Sequence, residues 1–206
     1  MRTFFVPLCI LFLLAGWSIG GIAAPPDPQA LMRDVTDNIT SRLEAEPELR
    51  KDRAALVDLI ETEVFPHVDF ERVARLTLGR HWPQASATQQ AQFVDAMKTV
   101  LACTYSAAFA AYSGQQVEYL DPRRSDDRDH VEIPVRIMSS GEPPIPVKYR
   151  LHRADNAWKV YDLVVEGVSL VTNYRSTFQQ KLGEQDLDAL ISDLGKRSAE
   201  TCKQER

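Results

Sequence analysis

The sequence predicts an α+β fold: helices first, then an antiparallel meander of about four curved strands, then one or two closing helices. Three observations carry this. Apolar residues recur at near-four spacing as far as Tyr112. Between Val117 and Val165 the apolar period falls to two. After Gly167 it returns to helical spacing.

The chain begins with Arg2 and an apolar run over residues 4–14, interrupted only by Pro7, and then small residues as far as Ala23 and Ala24. This is the pattern of a secretory leader, too short and wrongly flanked for a spanning helix. Cleavage is expected after Ala23, so residues 1–23 form a signal peptide and the working protein starts at Ala24. Cys9 lies inside the apolar run rather than beside the small residues, which argues against a lipid anchor. Residues 24–200 suit one domain and residues 201–206 a polar tail.

The first helical stripe is Leu31, Val35, Ile39 and Leu43, broken at Pro47. Leu56, Leu59, Ile60 and Val64 make a second, ended before Pro66. Asp69 is placed to cap a short third helix that stops at Gly79. Ser86 and Gln89 form a capping box for a long fourth helix carrying Phe93, Met97, Leu101, Tyr105, Phe109 and Tyr112. The strands alternate next: Val117 and Tyr119; Val131, Ile133, Val135 and Ile137; Ile145, Val147, Tyr149 and Leu151; then 158–165, apolar on both faces. Pro134 suggests an edge strand or a bulge. Val168, Val171, Tyr174 and Phe178 share a helical side, and Leu187, Leu190, Ile191 and Leu194 mark a last helix. An apolar sheet face of this size has to be covered by helices.

The formal net charge is −5 and becomes more negative when Arg2 leaves with the leader. No basic cluster suits nucleic acid or an anionic bilayer. Residues 121–129 mix both signs around Pro122 and read as a solvated hairpin loop. His67, His81, His130 and His152 are scattered without ligand spacing, so no metal is expected. Cys103 and Cys202 could pair in an exported chain, while a cysteine in an apolar helix also reads as a small hydrophobe; composition leaves the pairing open. The sequon at Asn38 is a short pattern that recurs by chance.

Catalytic signatures are thin. The stretch from Gly167 to Val171 lacks the second glycine of a nucleophile elbow, so Ser169 reads as a helix-start hydroxyl. Asp162 and Glu166, four apart on a strand, could pair as carboxylates; Glu166 at a helix start is the simpler reading. No catalytic residue is assigned. The informative feature is apolar and aromatic: the long-helix stripe, together with Val135, Ile137, Val147, Tyr149, Trp158, Val160 and Val164 from the sheet. These form either an ordinary core or the lining of a gap that takes an apolar ligand.

Four pieces in order carry a family resemblance: FPHVDF from Phe65, RLTLGRHW from Arg75, WKVYD from Trp158 and EGVSLV from Glu166. Together, over about residues 29–195, they resemble the toluene-tolerance family of periplasmic proteins, which includes the phospholipid shuttle of the Mla lipid-asymmetry pathway. The resemblance implies a curved sheet with nuclear-transport-factor-like or cystatin-like elements, wrapped by helices around an apolar cavity. It implies a periplasmic carrier with no cofactor, its cargo a phospholipid. The implied partners are an outer-membrane lipoprotein and porin complex and an inner-membrane ABC transporter. The expected lining is Val68, Leu76, Met97, Leu101, Tyr105, Phe109, Val135, Ile137, Val147, Tyr149, Val160, Val164, Val168, Val171 and Tyr174. Arg150 and Arg175 are the candidate phosphate contacts. A hopanoid carrier of the same family, an enzyme using Asp162 or Glu166 as base, and an adaptor with a filled core are the alternatives.

Overall fold

The chain's own punctuation sets its helices. The computed structural model describes residues 27–126 and 129–203, so the expected leader lies outside the described residues. Helix α1 (Pro28–Ala45) starts with Pro28 behind Asp27, whose carboxylate accepts the Ala30 N–H at 3.1 Å. Asp52 caps α2 (Arg53–Glu63) in the same way, and Asp69 caps α3 (Phe70–Leu78) through the Arg72 N–H at 2.8 Å. Gly79, at φ 54°, ends α3. Ser86 and Gln89 close the expected capping box of α4 (Ala87–Ala110).

Six strands follow where about four were expected. They are β1 (Gln116–Tyr119), β2 (Arg123–Arg124), β3 (His130–Met138), β4 (Ile145–Ala154), β5 (Ala157–Val165) and β6 (Val168–Ser169). The antiparallel order is β1-β3-β4-β5-β6, with β2 also on β3. The two extra strands have two residues each, too short for alternation to reveal. One of them, β2, lies inside the stretch read as a loop.

Pro134 is not on an edge. It sits in β3 opposite the step from β1 to β2, where a missing N–H removes only one bond. The Leu120 N–H donates to the Pro134 carbonyl at 3.0 Å, and the Leu120 carbonyl, with no proline N–H to accept, takes the Gln29 side-chain amide at 2.9 Å. A bulge does occur, one strand pair away: Arg150 faces Asp162 while Leu151 faces Val160, leaving Tyr161 as the extra residue.

Glu166 and Gly167, at φ 50° and 86°, make the tight turn into β6. Glu166 is therefore an exposed turn residue and not the start of a helix. Helix α5 (Leu170–Lys181) starts after Ser169, whose hydroxyl accepts the Thr172 N–H at 3.0 Å. Helix α6 (Leu187–Lys203) runs through Gly195 and into the stretch read as a polar tail. Leu190, Leu194, Ser198 and Cys202 continue one face at i+4, and Cys202 is disulfide-bonded to Cys103 of α4. The small-hydrophobe reading of Cys103 is thus overturned: α4 and α6 lie side by side, with the two Cα atoms 5.1 Å apart.

The buried side chains form three clusters. Val73, Leu78, Phe93, Met97, Val100, Phe178 and Leu190 fill the space between α3, α4, α5 and α6. Val131, Ile133, Val135, Val147, Leu151 and Trp158 close the sheet face around Met32 of α1. Val35, Ile39, Leu43, Leu56 and Leu59 join α1 to α2. A domain of this size more often shows one contiguous core.

The Cys103–Cys202 bridge closes a loop with a sequence separation of 99. Cys202→Ser is expected to cost about 3 kcal/mol, lowering the melting temperature by roughly 6–12 °C. Calorimetry with and without dithiothreitol checks this: reductant should lower the wild type to the variant's value and leave the variant unmoved.

Candidate apolar ligand site

Strand register builds one apolar wall. Val117 and Tyr119 of β1 face Ile137 and Val135 of β3; Val135 and Ile133 face Val147 and Tyr149 of β4; these face Val165 and Leu163 of β5. All of these point to one side of the sheet. Beyond the bulge, Val160 and Trp158 return to that side opposite Leu151 and Arg153. Helix α1 covers part of the wall. The Tyr119 hydroxyl donates to the Met32 carbonyl at 2.8 Å and lies 2.7 Å from Thr36 Oγ1, while the Arg33 guanidinium stands 4.2 Å from the Tyr119 ring centre.

The margins of the three clusters are apolar but not sealed. Ile137, Tyr149, Val160, Leu163 and Val165 of the sheet keep accessible surface. So do Val68, Leu101, Val171 and Tyr174 on the helix side, and Phe109 beside the α1–α2 cluster. Leu76 and Tyr105 are also half-buried. Burial pushes the Tyr105 hydroxyl up to about 12, with Tyr174 close by, and raises Tyr174 as well. Tyr149 lies so deep among protein atoms that its pKa is driven far upward, yet it retains accessible area. That combination fits a side chain on an internal wall better than one in a solid core.

Several expected lining residues lie elsewhere. Val164 faces Lys148 across the β4–β5 ladder, on the opposite side from Tyr149, and is buried there. The bulge at Tyr161 is the reason: it puts Val160 and Val164, four residues apart, on opposite faces, and gives the wall Leu163 and Val165 instead. Val168 is 58% exposed at the β5–β6 turn, because its strand of two residues precedes the helix expected to present it. Met97 is fully buried in the helix cluster, and Val135 and Val147 are closed over by the sheet cluster. Leu31 and Met32 of α1 belong to the covered wall and were missed; the stripe that begins at Leu31 was legible, but its partner was not.

Neither arginine faces the wall. Arg150 spends its guanidinium on the other side of the sheet, with Nη1 3.0 Å from Asp162 Oδ2 and Nε 3.4 Å from Glu132 Oε2. Arg175 lies exposed over the turn at Gly79, 3.4 Å from where a side chain there would begin. Asp162 is a buttress. Its carboxylate accepts the Ser169 hydroxyl at 2.7 Å and the Val171 N–H at 3.1 Å, tying β4, β6 and the start of α5 together. With its lone pairs so engaged, and on the face opposite the apolar wall, it is poorly placed to act as a base. Among the described residues no three His, Cys, Asp or Glu side chains are grouped to hold a metal.

Concavities open on the surface of the described residues. One, of about 740 Å³, lies over Phe65, Val68, Phe70 and Val94 with a rim of Glu61, Glu71, Asp155 and Lys98. A second, of about 270 Å³, lies on the polar face of the sheet beside Arg123, Glu132 and Arg150. Of the expected lining residues only Val68 borders either one.

The family model described as MlaC protein matches residues 33–196. The chain belongs to the MlaC family. Two curated relatives support the assignment along nearly their whole length. The intermembrane phospholipid transport system binding protein MlaC of Haemophilus influenzae is 26% identical over 190 residues, covering 90% of this chain and 89% of its own. The toluene tolerance protein ttg2D of Pseudomonas putida is 25% identical over 187 residues, with 88% and 86% covered. A solved structure of the phospholipid-binding protein from Ralstonia solanacearum, in complex with a phospholipid, superposes with a TM-score of 0.77 at 30% identity. It covers 85% of this chain and 98% of that one. The α+β architecture read from the sequence is thus shared with a solved phospholipid-binding protein.

Within this MlaC-family fold, Asp162→Asn leaves Arg150 against a neutral amide and weakens the cap on α5. Because Arg150 is 38% exposed, the cost is set below that of a fully buried pair, at about 2–3 kcal/mol. Chemical denaturation of the variant measures it; a change under about 0.5 kcal/mol would remove Asp162 from its buttress role.

Proposed function

We propose that this protein is a periplasmic phospholipid carrier that passes its cargo between an outer-membrane lipoprotein and porin complex and an inner-membrane ABC transporter. One observation carries the reading: a protein sharing this fold over nearly its full length is solved with a phospholipid bound. The names of the two curated relatives point the same way. The leader read in the sequence and the disulfide both suit an exported protein.

The unsealed margins give the cargo a place. Acyl chains would lie against Ile137, Tyr149, Val160 and Leu163 on the sheet side and Leu101, Tyr105, Val171 and Tyr174 on the helix side. Each buried methylene is worth about 0.8 kcal/mol, so two chains of ~30 methylenes represent on the order of 24 kcal/mol. A lipid of that cost does not cross water unaided, and a carrier has to keep the tails covered until it docks. The coverage by α1 through Tyr119 is a contact that opening would break. The reading gives the protein no catalytic role, consistent with the engaged carboxylate of Asp162.

Organic extraction of protein purified from an envelope-bearing host is expected to yield about one phospholipid per chain, and mass analysis of the extract separates it from a hopanoid. Val171→Glu should cut that yield severalfold while far-UV dichroism still shows cooperative unfolding, and Val168→Glu, at the exposed turn, should leave it unchanged. Wild type that yields no lipid would overturn the carrier reading. Equal losses in both variants would remove Val171 from the wall.

A further inference from the structure

Between α3 and the polar face of the sheet lies a cluster that the lipid site does not use. Arg72 reaches from α3 to two strands: Nη2 is 3.0 Å from His130 Nε2 on β3, and Nη1 is 3.4 Å from His152 Nδ1 on β4. Its guanidinium stands 4.7 Å from the ring centre of Tyr161, the bulge residue of β5. Its Nε is buried with no hydrogen-bond partner, and Arg72 forms no ion pair with a carboxylate among the described residues.

The chemistry of the contacts says which ring nitrogens accept. A guanidinium has only donors. His130 Nε2 and His152 Nδ1 therefore carry lone pairs. His152 Nε2, 2.8 Å from Asp69 Oδ2, carries the proton and donates it to the carboxylate. The His152 imidazole is neutral in this arrangement. A proton added at His152 Nδ1 sets N–H against N–H and places a second cation beside Arg72.

The surrounding groups favour that rupture in acid. His152 faces Arg72 and Asp69 from the α3 side, His130 from β3 with ring centres 6.3 Å apart, and Tyr161 and its register partner Lys159 from β5. His130 faces Arg72, His152 and Tyr161, shares the smaller concavity with Arg123, Arg124, Glu132 and Arg150, and follows Asp129. Asp69 Oδ2 already accepts from His152 Nε2 while Oδ1 caps α3, so an added proton falls on Nδ1, the nitrogen that faces Arg72. Burial, then Arg72, hold His152 below its ordinary pKa. The sign follows: a histidine whose folded pKa is depressed contributes stability that is present above about pH 6.5 and lost as the pH falls through the folded value.

We propose that Arg72 is the positioning residue that latches α3 to the sheet, and that protonation of His152 releases the latch, so that lipid exchange quickens in acid. The seam concerned adjoins the proposed lipid walls. Val68 bridges to Val160 immediately before α3, and Leu76 projects from that helix. The inference rests on the carrier reading for its consequence, but the latch itself is a property of the protein alone.

Two measurements on the full chain test it. In the first, protein loaded with a fluorescent phosphatidylglycerol delivers it to phosphatidylcholine vesicles at about pH 5.5 and about pH 7.5, on either side of histidine titration. Wild type should transfer about fivefold faster in acid, the equivalent of one lost hydrogen bond. His130→Gln/His152→Gln should show no pH dependence, because an amide oxygen accepts from Arg72 at both values. Arg72→Gln should be fast at both. In the second, hydrogen exchange of α3 amides, expressed as protection factors, should fall in acid for wild type and hold for the double variant. Acid-independent α3 protection in wild type, or an acid response kept by the double variant, overturns the latch. Wild type that takes up no lipid at about pH 7.5 overturns the carrier reading instead, and α3 protection still decides the latch.

Discussion

The structure turns on a sheet whose apolar face is larger than its helices cover. Burying that face is the main favourable force available to the chain, yet the buried side chains settle into three separate clusters. Helix α1 closes the middle of the sheet through Met32. Helices α3 to α6 make a core of their own around Phe93 and Phe178, whose rings meet edge to face at 5.5 Å. What remains at the margins is a set of half-buried aliphatic and tyrosine side chains. In a protein with a single function of being stable, those margins would be packed shut. In the proposed carrier they are the surface that a phospholipid tail would complete.

Polar interactions hold this incomplete core in shape from the outside. Asp162 fixes the start of α5 to β4 and β6, and the Tyr119 hydroxyl holds α1 to the β1 edge. The disulfide joins the C-terminal helix to α4. Arg50 and Arg53 donate to the carbonyls of Tyr112 and Cys103, fastening the α2 region to α4. Each of these ties the end of one element to a neighbouring element. The helices can therefore keep their relative places while the side chains between them rearrange around a ligand.

Much of this was legible in the sequence, and the losses have physical causes. Caps and stops are local, so Asp69, Gly79 and the Ser86 box were readable from a few residues. Alternation placed β3 and β4 correctly. It failed on β5 because that strand is apolar on both faces and carries a bulge, and a single inserted residue exchanges the two sides. Val164 was lost to the wall and Leu163 and Val165 gained for that reason alone. Arg150 looked available because nothing local shows that Glu132 and Asp162 flank it on neighbouring strands. The cysteine pairing depends on α6 running parallel past α4, from Gln89 beside Asp188 to Cys103 beside Cys202, a long-range fact, and Gly195 disguised how far that helix extends. The edge reading of Pro134 failed because β3 changes partner, from β1 to β2, around the residue that has no N–H.

The most direct test is where the tails lie. Isotope-filtered nuclear Overhauser spectra of the protein with a bound phospholipid should show acyl methylenes in contact with Tyr149, Leu163 and Val165 on one side and Leu101 and Tyr174 on the other. Contacts confined to Phe65 and Phe70 in the larger surface concavity, or none with the sheet face, would contradict the account.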